Sequence, residues 1–277
     1  MKYSKFILWF LLLIAVVAVS LLVIESPDKA TARIPAVEDS RTEPLLVLGI
    51  ECVADGYPNT GVDEEVHLYT GFSLVYSEEF EQAAWVAYIL RRDQVTGGGE
   101  DRTDDFRTDT TILTGSAAPA DYLRSGYDRG HLAPAADMKW SPAAMSESFL
   151  MSNMSPQQPG FNRGVWNRLE ARVRQWAVEN DSILVITGPV LNGIVTFIGE
   201  NRVGVPGYYY KIVADISPPD YKIIAFLLEN RSSGADLMTF AVSVDSVESV
   251  TGLDFFNSHP NREIIEYYES RTDKTRW

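Results

Sequence analysis

Asp128-Arg129-Gly130-His131-Leu132-Ala133-Pro134, followed by Met151-Ser152-Asn153-Met154-Ser155-Pro156-Gln157 and then by Asn162 and Glu170, is the stretch on which the reading of this chain turns. Gly126 and Gly130 allow a tight backbone path and leave room for another strand to approach. His131 is one of three histidines, with His67 and His259. An imidazole that a neighbour holds neutral and oriented can take a proton from water near neutral pH. Asn162 offers a hard amide oxygen of the kind Mg²⁺ accepts while keeping most of its waters, and it also suits the N-cap of a helix. Glu170 lies eight residues on, slightly more than two turns away on a regular helix, where it can bind waters of an ion or pair with Arg174 at i,i+4. Together these are the parts needed to cut a phosphodiester with one divalent cation.

The segment from Asn162 to Glu179 is the clearest helix in the chain. Val165, Trp166, Leu169, Val173 and Trp176 recur at three- and four-residue spacing, while arginines take the other face. Upstream, Phe72–Tyr76 and Ala84–Leu90 read as a hairpin joined by an acidic turn, and Ile183–Ile186, Tyr208–Ile216 and Lys222–Leu228 read as further strands. Tyr208-Tyr209-Tyr210 starts a strand or, alternatively, stacks bases. Short helices are expected around Trp140–Ser148 and Arg262–Ser270, and no long periodic segment appears between Gly97 and Tyr127. Mixed elements with short connections predict an α+β domain on a mainly antiparallel sheet.

Residues 6 to 24 hold nineteen positions without a charge, preceded by Lys2 and Lys5 and followed by Glu25 and Asp28. That length spans a hydrocarbon core, and the flanking charges put the amino terminus in the cytoplasm and the remainder outside it, periplasmic or extracellular. The competing reading is a cleaved signal peptide, with Ala30-Thr31-Ala32 as the cleavage site and a secreted product. The expected organisation is an anchor or signal over 1–25, a Pro-rich tether over 26–45 and one folded domain over 46–277.

Cys52 is the only cysteine, so no disulfide forms within the chain. The net charge of −14 runs against a nucleic-acid partner, since neutralising phosphate dominates such binding. Between Phe161 and Trp176, however, Arg163, Arg168, Arg172 and Arg174 face only Glu170, which predicts a local basic stripe. Other chemistries lack their parts: there is no His-Glu-x-x-His pair, no thiolate set for zinc, no P-loop and no Gly-x-Ser-x-Gly elbow.

With these residues in view, the chain resembles the DNA/RNA non-specific endonucleases. The resemblance rests on the two motifs above, continues through Asn162, Trp166 and Leu169-Glu170, is supported by Trp85-Val86-Ala87-Tyr88 and Thr187-Gly188-Pro189, and covers roughly residues 68 to 256. It implies a ββα-metal fold and hydrolysis of DNA and RNA through backbone contacts with little sequence preference. By the same resemblance His131 is the general base, and Asn162 is the one protein ligand of Mg²⁺, with Mn²⁺ as the substitute, the ion stabilising the leaving 3′-oxygen. Glu170 orders the ion's water, Asn153 supports the geometry and Arg129 meets phosphate. The family also places an arginine before an aromatic-basic-x-Asp stretch, here Phe106-Arg107-Thr108-Asp109; Asp104 stands at that position, so Arg102 is the nearest substitute and Arg107 the second. The membrane, through residues 6–24, and a second copy of the chain complete the expected partners. A catalytically inactive, surface-anchored binding module of the same fold is the alternative.

Overall fold

The computed structural model describes residues 51–52, 62–215, 221–257, 259 and 261–277. The anchor or signal at 6–24 and the tether at 26–45 lie outside the described residues. Among those described, no helix is long and apolar enough to cross a membrane.

In chain order the strands are β1 (Glu51–Cys52), β2 (Val62–Leu68), β3 (Ser73–Ser77), β4 (Gln82–Arg91), β5 (Asp128–His131), β6 (Met154–Gln157), β7 (Ser182–Pro189), β8 (Ile194–Ile198), β9 (Val203–Pro206), β10 (Tyr208–Asp215), β11 (Lys222–Glu229), β12 (Ala241–Val242) and β13 (Leu253–Asp254). The helices are α1 (Arg92–Thr96), α2 (Pro142–Glu147), α3 (Asn167–Glu179), α4 (Val244–Thr251) and α5 (Arg262–Glu269). Seven strands form one sheet in the order β12-β11-β10-β7-β4-β3-β2, and every neighbouring pair is antiparallel. The expected antiparallel α+β domain and the β3–β4 hairpin are therefore present.

Side chains along a strand alternate between the two faces, and here both faces are covered. From β4, Val86, Tyr88 and Leu90 join the cluster beneath α3, which contributes Leu169, Val173 and Trp176. Trp85 and Ala87 point the other way, toward Val244 and Val247 of α4 and Ile265 of α5. The central strands are thus buried on both sides, which explains their nearly unbroken apolar composition.

Several elements depart from expectation. The helix expected to run from Asn162 to Glu179 is two pieces: a wide π-type turn, Phe161–Trp166, and then α3. Gly164 breaks the regular geometry between them, at φ −108° and ψ −107°. Asn162 therefore sits inside a widened turn and is not the N-cap of a regular helix, and counting 3.6 residues per turn from Asn162 to Glu170 does not hold. The β5–β6 pair was not legible as strand, because Gly130 and Pro156 disfavour that state locally and only the pairing itself supplies it. Helix α4 carried readable signals: Ser243 accepts a hydrogen bond from the Ser246 amide at its start, and Gly252 ends it in the left-handed region at φ 76°.

Trp176 is fully buried, stacked on Phe226 at 5.2 to 5.9 Å from its aromatic neighbours Trp277 and Phe226. Trp176→Ala is expected to lower unfolding free energy by roughly 3–5 kcal/mol. Chemical denaturation would read this as a lower midpoint, and an unchanged midpoint would contradict the packing of α3 on the sheet.

Candidate active site

The site grows from β5 and β6, which pair antiparallel with His131 opposite Met154, Gly130 opposite Ser155 and Asp128 opposite Gln157. Gln157 packs so closely over Gly130 that a Cβ there would lie 2.3 Å from its side chain, so glycine is required by close approach. After β6 the chain turns into the Phe161–Trp166 segment. That turn is held by Asn230, whose Oδ1 accepts from the Gln158 amide at 2.8 Å and whose Nδ2 donates to the carbonyls of Pro156 (3.1 Å) and Pro206 (3.0 Å). Two strands followed by α3 make the ββα unit.

Asn153 is entirely buried and its amide is fully committed. Oδ1 accepts from the Ala133 amide at 2.9 Å, and Nδ2 donates to the carbonyls of Ala133 (2.9 Å) and Ser148 (2.8 Å). It is a staple between the Ala133 and Ser148 backbone, next to His131, with both ends of its amide committed.

The His131 ring is half-buried between Phe149, edge-on at 5.0 Å, and Phe106 at 5.8 Å. No hydrogen bond among the described residues orients it, and Nε2 is without a partner. Burial, followed by the positive charges of Arg102 and Arg129, lowers its pKa to about 3. Packing therefore fixes the ring, and burial together with the surrounding cations keeps it neutral.

Phe106 also lies under the Arg129 guanidinium, 3.8 Å from ring centroid to Cζ, and with Arg129, Asn162, Arg163, Arg124 and Tyr127 it lines one open cleft. Asp128 controls the orientation of Asn162. Its Oδ2 accepts from Asn162 Nδ2 at 3.0 Å and from Arg163 Nε at 2.8 Å, and its Oδ1 accepts from Arg163 Nη2 at 2.6 Å. Burial pushes the Asp128 carboxyl up, but hydrogen bonds from Arg163 and Asn162 and the charges of Arg163 and Arg129 hold it below its usual value. With the amide nitrogen of Asn162 committed, its oxygen is the end left to coordinate. Sequence reasoning quoted Asp128 without giving it this task.

Arg102 stacks on Phe149 from 4.7 Å, pairs with Asp104 at 2.7 Å and acts electrostatically on both His131 and Glu170. Arg107 is committed to Asp105 at 2.8 Å and to the Ser146 carbonyl at 2.9 Å, so both upstream arginines are paired with acids of their own loop, and Arg102 is the one whose charge acts on His131. The loop bearing both is pinned by Asp109, which accepts from Tyr69 and Ser152 hydroxyls, each at 2.5 Å. The predicted basic stripe on α3 is absent: Arg163 pairs with Asp128, Arg168 donates to the carbonyls of Ser233 and Ala235, Arg172 pairs with Glu179, and Arg174 pairs with Asp137 at 2.8 Å. The i,i+4 partnership of Glu170 with Arg174 is likewise replaced by the Arg174–Asp137 pair. Positive charge at the cleft comes instead from Arg124 and Arg129, while Arg163 and, beside Phe149, Arg102 are each paired with an acid.

The pattern of the DNA/RNA non-specific endonucleases matches residues 51–262. The chain belongs to that family. It is 33% identical to the human mitochondrial nuclease EXOG over 73% of this chain and 59% of the relative, and 34% identical to a nuclease of Nostoc over 73% and 76%. Human mitochondrial endonuclease G is 33% identical over 66% of this chain and 67% of its own. The crystal structure of an EndoG/EndoGI complex superposes with a TM-score of 0.64 at 30% identity, covering 75% of this chain and 89% of that one. The chain thus spans 59% of the length of the mammalian EXOG relatives. In this endonuclease-family domain the two motifs of the sequence supply the paired strands and the turn that carry the cleft.

The ionisation of His131 yields a signed expectation. The unfolded chain takes up a proton near pH 6.5 and the folded ring only near about 3, so its contribution to stability is complete above 6.5 and is lost as pH falls toward about 3. Relative to His131→Gln, the wild-type chain should lose more unfolding free energy between about pH 6.5 and pH 4. Parallel denaturation curves for the two proteins across that range would refute the buried, neutral ring.

Proposed function

We propose that this chain is an endonuclease that hydrolyses phosphodiester bonds of DNA and RNA with little sequence preference and depends on Mg²⁺, Mn²⁺ being the substitute. The observation that carries this reading is the cleft in which Arg129 and the oriented amide of Asn162 stand together, joined to the neutral ring of His131 through Phe106.

The donor set suits a hard, largely hydrated cation. Among the described residues no three His, Cys, Asp or Glu side chains gather into a chelating group, and the amide oxygen of Asn162 is the available ligand. That is the donor chemistry expected for Mg²⁺, which binds few protein ligands. When bound, such an ion supplies Lewis-acid stabilisation of the charge developing on the leaving 3′-oxygen.

The chain's own residues do the rest. His131, held neutral, takes a proton from the water that attacks phosphorus in line. Arg129, held flat on Phe106, neutralises phosphate charge, and Arg102 adds positive potential from beside Phe149. Glu170 accepts hydrogen bonds from water in the site. Contacts of this kind hold the backbone without reading bases, which is why little sequence preference is expected. The uncharged run at 6–24, with Lys2 and Lys5 before it and Glu25 and Asp28 after it, supports a domain held outside the cytoplasm by a membrane anchor.

The purified full-length chain should degrade supercoiled plasmid and RNA with Mg²⁺ and cease with EDTA. His131→Ala should reduce the rate by about 10²–10⁴-fold, and Asn162→Ala should act comparably. Undiminished cutting by His131→Ala would overturn the mechanism, and metal binding without cutting any nucleic acid would favour an inactive binding module.

A further inference from the structure

Lys211 stands in the middle of β10, opposite Thr187 of β7 and Phe226 of β11. It is fully buried, and its Nζ has no hydrogen-bond partner. The ammonium lies 4.7 Å from the ring centroid of Trp166, the residue that leads into α3. An aromatic face compensates part of the loss of water, but a buried cation requires an opposite charge nearby or it is severely destabilising.

Two acids can serve, Asp137 and Glu170. Asp137 is already committed, accepting from the Tyr88 hydroxyl at 2.8 Å and from Arg174 at 2.8 Å. Glu170, in the first turn of α3, has no hydrogen bond or ion pair among the described residues and keeps part of its surface open. The groups acting on Glu170 come from every side. Burial dominates and raises its carboxyl to about 7; Lys211 is the strongest charge opposing that rise, Asp137 adds to it, and Arg174 and Arg102 oppose it. Burial in turn pushes the Lys211 ammonium down, while Glu170 and Asp137 sustain it and Arg174 opposes it.

We propose that Lys211 is a positioning residue for the nuclease reaction, a buried ammonium set against Trp166 at the start of α3 as the counter-charge that favours the carboxylate form of Glu170. This rests on the nuclease reading above. A carboxylate only accepts hydrogen bonds, whereas a protonated Glu170 would also donate and would bring no negative charge to the site. The sheet thus reaches the reaction through a lysine that touches no substrate.

The test separates this pair from the activity itself. In the metal-free, ¹³C-glutamate-labelled chain, the Glu170 carboxyl resonance, assigned by its loss in Glu170→Gln, should titrate at a pH higher by about one unit or more in Lys211→Met, a tenfold change in proton affinity. With Mg²⁺ present, the acid limb of the cleavage profile should move up with it, so that activity lost near neutral pH returns at alkaline pH, and Lys211→Arg should keep the wild-type profile. Methionine in place of a buried charge is compatible with folding; if Lys211→Met does not fold, Lys211→Gln decides by the same measurements. An unmoved Glu170 titration, or a loss of activity that is the same at every pH, overturns the proposal. A wild-type chain that shows the Glu170 shift yet cuts nothing supports the pair and overturns the nuclease reading.

Discussion

The amide of Asn153 is the interaction on which the site depends. Its side chain meets the amide and carbonyl of Ala133 and the carbonyl of Ser148, and its own carbonyl accepts from the amide of Leu132. These groups belong to irregular segments that no sheet or helix would satisfy, and buried backbone without partners is strongly disfavoured. One planar side chain therefore allows an irregular path to be buried, and that path delivers His131 between Phe106 and Phe149. Asn230 performs the matching task at the other end of β6, where the chain must turn sharply into the segment carrying Asn162.

Electrostatics on this molecule are local. The chain carries −14 overall, yet Arg124, Arg129 and Arg163 line one cleft, and the carboxylate bonded to Asn162, Asp128, is itself held by Arg163. Within a Debye length of roughly 8–10 Å the nearby arginines dominate what a phosphate meets, and the distant acids are screened. A second set of charges, Asp137, Arg174, Glu170 and Lys211, act on one another around the start of α3, Asp137 and Lys211 fully buried and Arg174 and Glu170 partly so. There each charge is set by its neighbours because little solvent is present to screen them.

The shape of the sheet links the two sets. Strands buried on both faces can carry a polar side chain only where a partner awaits it, so Lys211 in an otherwise apolar strand signals a buried acid on the covering helix.

What the sequence determined by itself was the chemistry available and most of the frame. Strong periodicity located α3, the β3–β4 hairpin and the central strands, because burial of a stripe or a face leaves a pattern that survives in one dimension. The His131 and Asn162 motifs pointed to the family, since their residue types and spacing are constrained by the site. Tertiary structure alone decided the β5–β6 pairing, the break at Gly164, the commitment of the α3 arginines to other partners, and the placement of Arg102 against Phe149. Each of these depends on a contact between residues distant in the chain, and the energy of such a contact is carried by a partner that local sequence does not contain.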